Sequence, residues 1–233
     1  MYGLRKIKID GKNQFNNFIW PLEVGAEVEA PDWNPVPECG GGLHCLPNAS
    51  GDWGLLEGEY WAVLKFNKKD MVWVDFGKSN VKKCKIAFLS ENPEGMLKFF
   101  DYEKFDSKTA YEWGLGAGNR DIMISKVVES EWAYYWAFDV GNRDIMIDKI
   151  TESRWAYYWA LSIGNRDIMI DRITESEWAY KWAKNIGNRD IMISKITNSE
   201  DAYYWVVNIG NRKEMIKKFP SLFNYSDILY GSF

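Results

Sequence analysis

The sequence predicts an α+β protein, with a small β-rich N-terminal domain followed by a short α-solenoid of five 23-residue helical-hairpin repeats. Before about residue 105, short apolar runs alternate with Gly, Pro, Asn and Asp, as in strands joined by turns. After it, Gly-Asn-Arg recurs five times at a strict spacing of 23 residues, which is typical of a repeat array. We therefore divide the chain into a β-rich domain (1–104), a helical repeat array (105–219) and a C-terminal capping tail (220–233).

Five segments of the N-terminal domain have the alternation and the β-branched or aromatic content of strands. They are Leu4–Ile9, Glu23–Glu29, Tyr60–Phe66, Met71–Phe76 and Val81–Phe88. The segment Asn92–Phe100 begins with Asn-Pro-Glu, which predicts a short helix leading into the repeats.

Each repeat predicts two helices joined by a Gly-Asn-Arg turn. A serine begins every copy and is expected to be the N-cap of the first helix. The glycine is expected to end that helix, the asparagine to cap the second, and Ile-Met-Ile to form the buried side of the second. The copies begin at Ser107, Ser130, Ser153, Ser176 and Ser199.

The end copies differ from the inner copies at one tryptophan position. It reads Thr109, Trp132, Trp155, Trp178 and Asp201, and Glu214 replaces an isoleucine in the last copy. Polar substitutions at both ends are what the caps of a one-dimensional stack require. We expect a right-handed solenoid of ten helices, closed by the C-terminal tail.

The repeats also contain candidate partner-binding residues. One position varies between Glu, Tyr and Lys, which indicates exposure, and a row of arginines follows the glycines. Tyr and Arg are enriched at the hot spots of protein interfaces. Core packing of the aromatic residues, a self-paired Arg-Asp face and a base-stacking surface remain alternatives. The candidates are Tyr135, Tyr158, Tyr204, Arg143, Arg166 and Arg189.

The stretch Glu38–Cys45, Glu-Cys-Gly-Gly-Gly-Leu-His-Cys, contains two of the three cysteines and the only histidine. Asp32, Cys39 and His44 are the ligand-binding candidates, and a Cys39–His44 nucleophile pair is the enzymatic alternative. A zinc site would need Cys84 as well, but the adjacent His44 and Cys45 are poorly spaced for it. A glycine nest for phosphate is a further alternative. We favour a structural turn, with no metal and no cofactor.

The stretch from residue 18 to residue 44 resembles an uncharacterised domain of bacterial and phage proteins, and the resemblance extends over about residues 2–90. Its core reads Ala-Pro-Asp-Trp-x-Pro-x-Pro-Glu-Cys-Gly-x-Gly-Leu-His, after a Phe-x-Trp-Pro start. The chain departs from that domain after His44. The repeats resemble short aromatic helical repeats of bacterial and phage proteins, although their usual Lys-Gly-Arg turn is Gly-Asn-Arg here. The residues that carry the first resemblance are Phe18, Trp20, Pro21, Ala30, Pro31, Asp32, Trp33, Pro35, Pro37, Glu38, Cys39, Gly40, Gly42, Leu43 and His44.

The composition narrows the functional class. A formal net charge of −4 argues against nucleic acid as a partner, and the odd number of cysteines favours a reducing, cytoplasmic compartment. Neither a secretory signal nor a membrane span is evident, so no membrane association is expected. We expect a non-enzymatic, phage-associated protein that binds a protein partner through its repeats, as an inhibitor of a host process such as antiviral defence. The alternatives are a nucleotide-sequestering or other small-ligand binder, and an enzyme centred on Cys39 and His44.

Overall fold

The computed structural model describes residues 1–13, 18–74 and 77–222. Contacts divide the chain into two compact units, Met1–Val128 and Glu129–Phe233. The first unit contains an antiparallel sheet and the beginning of the repeated segment, and the described part of the second unit is helical. The α+β class is therefore confirmed. The predicted capping tail (220–233) lies outside the described residues except for the 3₁₀ turn Pro220–Leu222.

The sheet has seven strands in the order β2-β7-β4-β1-β3-β6-β5. The central strand β1 places Leu4 opposite Leu46 of β3 and opposite Val63 of β4. These three side chains are buried, so the core of this unit joins residues that are far apart in the sequence. The strands are β1 (Tyr2–Ile7), β2 (Glu27–Glu29), β3 (Leu43–Pro47), β4 (Tyr60–Lys65), β5 (Met71–Trp73), β6 (Ser79–Val81) and β7 (Lys83–Ser90).

Two expectations for this unit were wrong. Strand β3 follows directly from the glycine-rich turn and was not predicted, because Leu-His-Cys-Leu-Pro lacks the alternation of a half-exposed strand. The segment Asn92–Phe100 is not a helix apart from the 3₁₀ turn Leu97–Phe99, since Gly95 adopts a φ of +80° that interrupts helical geometry.

The helices alternate between ten residues and four to seven residues in length. Each glycine of the Gly-Asn-Arg turn has a positive φ, between 85° and 123°, so it ends the longer helix as predicted. The helices are α1 (Ser107–Gly116), α2 (Arg120–Met123), α3 (Ser130–Asp139), α4 (Arg143–Met146), α5 (Ser153–Ser162), α6 (Arg166–Met169), α7 (Ser176–Asn185), α8 (Arg189–Lys195), α9 (Ser199–Asn208) and α10 (Arg212–Lys218). Within these described ranges, no helix is long and apolar enough to cross a membrane.

The recurrent asparagine does not cap the second helix as expected. Asn142 precedes α4 with a left-handed φ of 53°, and its side chain makes no capping hydrogen bond. Asn119, Asn165, Asn188 and Asn211 have the same backbone geometry. Asparagine fits this position because it adopts the left-handed conformation more readily than other residues with a side chain, so a second glycine is not needed.

The recurrent serine also has a different function from the predicted N-cap. Ser153 is the first residue of α5 and Glu152 occupies the N-cap position. The buried Ser153 Oγ accepts the backbone N–H groups of Thr174 (2.9 Å) and Glu175 (3.2 Å), and donates to the carbonyl of Arg172 (3.3 Å). The hydroxyl therefore joins the start of one copy to the chain that enters the next.

Basic side chains make a second recurrent link, to the copy before their own. Lys195 Nζ donates to the carbonyls of Ile170 (2.8 Å) and Ile173 (2.7 Å). Arg172 makes the equivalent contacts one copy earlier, with the carbonyls of Ile147 and Ile150. These cations satisfy carbonyls at the end of a helical segment, where the backbone has no partner of its own.

Burial in the second helix differs from the expectation for Ile-Met-Ile. Met146, Met169 and Met192 are fully buried, whereas the isoleucine before each methionine is exposed. Consecutive residues of a helix point in different directions, so burial of the methionine leaves the isoleucine before it facing solvent in these three copies.

The two end residues that were expected to be polar caps are buried. Thr109 and Asp201 are 3% and 7% exposed. Asp201 N–H donates to Asn198 Oδ1 (2.8 Å), and its carboxylate accepts from Asn198 Nδ2 (2.6 Å). This reciprocal pair caps the first turn of α9 and satisfies the buried carboxylate locally.

Candidate functional site

An aromatic cluster runs along the longer helices of the second unit. Tyr134 of α3 lies 5.4 Å from Trp155 of α5, measured between ring centroids, and Tyr157 lies 5.5 Å from Trp178 of α7. Such tilted ring pairs stabilise neighbouring helices beyond the effect of area burial alone. The cluster is thus mainly packing, as the first alternative for these residues anticipated.

The candidate tyrosines differ in how far this cluster covers them. Tyr135 and Tyr158 are half-buried, and Tyr158 packs against both Trp155 and Trp178. Tyr204 on α9 is 44% exposed, although its ring contacts Tyr180 and Tyr203. Only Tyr204 among them has the exposure that was expected of the whole set.

The candidate arginines are exposed, and in two of them the Nε atom makes a hydrogen bond to the preceding helix. Arg143 Nε donates to the carbonyl of Ala137 (3.4 Å), and Arg166 Nε donates to the carbonyl of Ala160 (3.3 Å). Both carbonyls belong to the last turn of the preceding helix. The guanidinium group is therefore held beside the Gly-Asn-Arg turn by its own repeat. Arg189 is exposed at the equivalent position.

Sequence reasoning missed an exposed apolar residue in each of the three inner copies. Ile145 is 50% exposed, and Ile168 and Ile191 are each 46% exposed. Each lies two positions after one of the candidate arginines, in the same short helix. We call these six residues the turn row: Arg143, Ile145, Arg166, Ile168, Arg189 and Ile191. The signal in the sequence was the direct succession of isoleucine and methionine, because consecutive helical positions point in different directions and cannot both face the same neighbour.

The glycine-rich turn in the first unit is held by hydrogen bonds between its backbone and the side chains of Asp32 and Asn80. Asp32 Oδ1 accepts the N–H of Gly42 (3.1 Å), and Asn80 Nδ2 donates to the carbonyl of Glu38 (2.8 Å). Gly42 has a φ of +106°, which a residue with a side chain would adopt only under strain. These contacts favour the structural interpretation of the turn.

The cysteines and the histidine are in different environments. Cys39 is exposed, whereas Cys45 and Cys84 are buried. Burial raises the pKa of the Cys84 thiol to about 12 and also raises the pKa of the Cys45 thiol, so both thiols are protonated and inert at neutral pH. Across the described part of the chain, no three His, Cys, Asp or Glu side chains are placed to share a metal ion.

His44 lies on β3 opposite Asn80 of β6. Burial, with the nearby charges of Lys78 and Arg5, lowers the pKa of its imidazole to about 4, against a weaker opposing effect of Asp32. The ring is therefore neutral at physiological pH, and its partly buried position gives it a polar neighbourhood dominated by cations.

Comparison of this chain with known protein families, with curated proteins and with solved structures finds no match.

Proposed function

We propose that the protein is a non-enzymatic interaction protein that binds a protein partner through the surface of its helical unit. In this proposal the helices form a short α-solenoid of five 23-residue repeats, in which each copy presents equivalent side chains at a regular interval. A partner would therefore meet the same side-chain pair several times in succession.

The turn row is the observation that carries the proposal. Each of its three copies exposes an arginine and, two residues later, an isoleucine with about half of its surface open to solvent. Interfaces concentrate their binding energy in arginine and large apolar or aromatic anchors. Tyr204 and the partly exposed edges of Tyr135 and Tyr158 supply further aromatic surface on the longer helices.

A phage setting, and inhibition of a host process such as antiviral defence, are the part of the proposal that rests on the sequence resemblance. Inhibitors of this kind act by occupying a protein surface, which needs no catalytic group. This part of the proposal is compatible with a recurrent exposed surface of Asn, Arg, Asp and Ile.

The alternatives have less support. A nucleotide sandwiched by the tyrosines would need free ring faces, but Tyr158 already packs against tryptophans of two helices. An enzyme centred on Cys39 and His44 would need a thiol activated by the imidazole. Cys39 lies in the exposed turn, whereas His44 belongs to β3 and is surrounded by cations.

The test is a comparison of two charge-reversed variants of the full chain. The double variant Arg143→Glu/Arg166→Glu should weaken binding of a captured protein partner by at least about 30-fold. The double variant Lys68→Glu/Lys69→Glu makes the same change of charge at exposed positions in the turn Lys68–Asp70 of the sheet unit, and it should bind as the wild type does. Capture from a host lysate with identification by mass spectrometry supplies the partner, and interferometry measures the affinity.

Melting temperatures of both variants serve as the folding control. Equal binding by the two variants, with both folded, would remove the turn row from the interface. Loss of binding in the Lys68→Glu/Lys69→Glu variant alone would transfer the function to the sheet unit.

A further inference from the structure

The sheet unit contains a basic cavity that the proposed function does not use. Its volume is about 180 Å³, and it lies at the end of β1 next to β3. Among its described lining residues, five are cations and one is a carboxylate. The cations are Arg5, Lys6, Lys8, Lys12 and Lys78, and the carboxylate is Glu57. Asp10 pairs with Lys12 at 3.5 Å, and the ammonium of Lys6 lies 4.4 Å from the ring centroid of Trp61, which is not part of the lining. Among the described residues, Arg5, Lys8 and Lys78 take part in no ion pair.

Arg5 is the most deeply placed of these cations. Its guanidinium lies over the ring of Trp20, 4.6 Å from the centroid, and Nη1 donates to the carbonyl of His44 at 2.6 Å. Its buried Nε has no hydrogen-bond partner among the described residues. Burial lowers the pKa of Arg5 to about 10, which still leaves the group charged at neutral pH.

A buried guanidinium without a counter-charge is costly. Desolvation of an ion costs several kcal/mol, and proteins normally recover it with an ion pair. Within the described ranges, none of the ion pairs includes Arg5. An anion in the adjacent cavity would supply the missing charge.

Two further residues of the cavity wall have an unsatisfied nitrogen. Trp20 is only 2% exposed, and neither its indole Nε1 nor the imidazole Nε2 of His44 has a hydrogen-bond partner in the described part of the chain. Buried polar atoms are normally paired, and three unpaired nitrogens of the described residues lie on the wall of this one cavity. Four indole nitrogens of the repeat tryptophans also lack a partner, but those tryptophans line no basic cavity among the described residues. Ordered water could hydrate these atoms, but it could not neutralise the positive charge.

We propose that this cavity binds a small multivalent oxyanion, of the phosphate ester or pyrophosphate class. The excess of cations favours a ligand with more than one negative charge. The size favours a small ligand, because pockets for drug-sized molecules begin at about 300 Å³. The site is independent of the turn row, so either proposal can fail without the other.

His44 provides a direct reporter, because it is the only histidine in the chain. Its imidazole resonances can be followed by NMR while inorganic pyrophosphate is added to the full-length protein at about 0.15 M salt, where non-specific surface attraction is screened. We expect a saturable shift of this signal. A bound anion also opposes the effect of Lys78 and Arg5, so the pKa of His44 should rise in the complex.

Calorimetry on variants then locates the site. Lys78→Gln removes a cation of the cavity wall and should weaken pyrophosphate binding about tenfold. Lys83→Gln removes an exposed lysine from β7, outside the cavity, and should leave the affinity unchanged. Arg5→Gln should weaken binding more strongly, but it is interpreted only if the melting curve shows a folded protein.

Two results would overturn the proposal. One is the absence of saturable binding of both pyrophosphate and inorganic phosphate up to about 10 mM, a concentration at which even a Kd of 1 mM would be evident. The other is binding that Lys78→Gln and Lys83→Gln weaken equally without a shift of the His44 resonance, since this would place the anion elsewhere.

Discussion

The sheet unit and the helical unit are stabilised by contacts of very different sequence separation. In the helical unit, Ser153 reaches a carbonyl 19 residues ahead, and Lys195 reaches carbonyls 22 and 25 residues back. In the sheet unit, Arg5 contacts a residue 39 positions away, and the amino terminus contacts Phe66. Interactions at a fixed short separation repeat along the sequence, whereas each long-range interaction of the sheet occurs once.

The difference has an energetic consequence. A repeat contacts only its neighbours, so a destabilising substitution in one copy weakens only the adjacent interfaces. A destabilising substitution in the sheet weakens a core that all its strands share. The cavity proposed to bind an anion lies in the sheet unit, and the turn row lies in the helical unit. The following predictions test this contrast, from the largest effect to the smallest.

Truncation of a central tryptophan should have the largest effect. Trp159 is fully buried in α5, so Trp159→Ala should cost about 3–5 kcal/mol of unfolding free energy in urea melts. The matched change at the half-buried neighbour, Tyr158→Ala, should cost about 1–2 kcal/mol through its ring contacts. Equal losses would mean that the burial of the two faces of α5 is assigned wrongly.

Replacing one glycine in each unit should distinguish the energetic cost of a steric clash from that of backbone strain alone. Gly58 has a φ of +136°, and an added Cβ would lie 2.5 Å from the carbonyl carbon of Ile7. Gly58→Ala should therefore cost about 2–5 kcal/mol. Gly164 has a similar φ of +122°, but a Cβ there meets open space, so Gly164→Ala should cost about 1–2 kcal/mol. A larger loss at Gly164 in thermal unfolding would contradict this ordering.

Removal of one recurrent hydroxyl should test the link between copies. Ser153→Ala leaves the buried N–H groups of Thr174 and Glu175 without their acceptor and should cost about 1–3 kcal/mol.

Ser199→Ala is the control for that link, since it makes the same change in the last copy. Ser199 is exposed, and the residue equivalent to Thr174 is Pro220, which has no N–H to donate. In urea melts of both variants, Ser199→Ala should lower the unfolding free energy by less than about 0.5 kcal/mol. A loss at Ser199 as large as that at Ser153 would show that the hydroxyl acts within its own helix.

Acidification to pH 5 should have a smaller effect than the truncation of Trp159, and it should act through the sheet unit. Because the folded-state pKa of His44 is about 4, below the ordinary value of 6.5, its contribution to stability is complete above pH 6.5 and is lost as the pH falls towards 4. The groups that act on the imidazole are Lys78, Arg5 and Asp32. Urea melts at pH 7.5 and pH 5 should show a larger loss in the wild type than in His44→Gln. Parallel losses would exclude His44 as the cause.

Much of the helical unit could be predicted because its geometry is local. The period of 23 residues, the glycine that ends each longer helix and the buried Trp159 all follow from helical spacing and from the conformational freedom of glycine. The same local rules gave a wrong prediction for the recurrent serine, which is not the N-cap of its helix. Its preference for the N-cap is a property of one helix, whereas the acceptor role of Ser153 depends on chain 21 residues further on.

The sequence by itself determined the α+β class, the repeat period and the residues available to each copy. Only the tertiary structure decided that Ile145 is exposed while Met146 is buried, because burial depends on which neighbour covers a short helix. It also decided that Arg5, Trp20, His44 and Lys78 surround one cavity, since antiparallel pairing of β1 with β3 and of β3 with β6 brings distant positions together. Short-range spacing carries no information about such pairing, because each register is selected by the packing of the whole sheet.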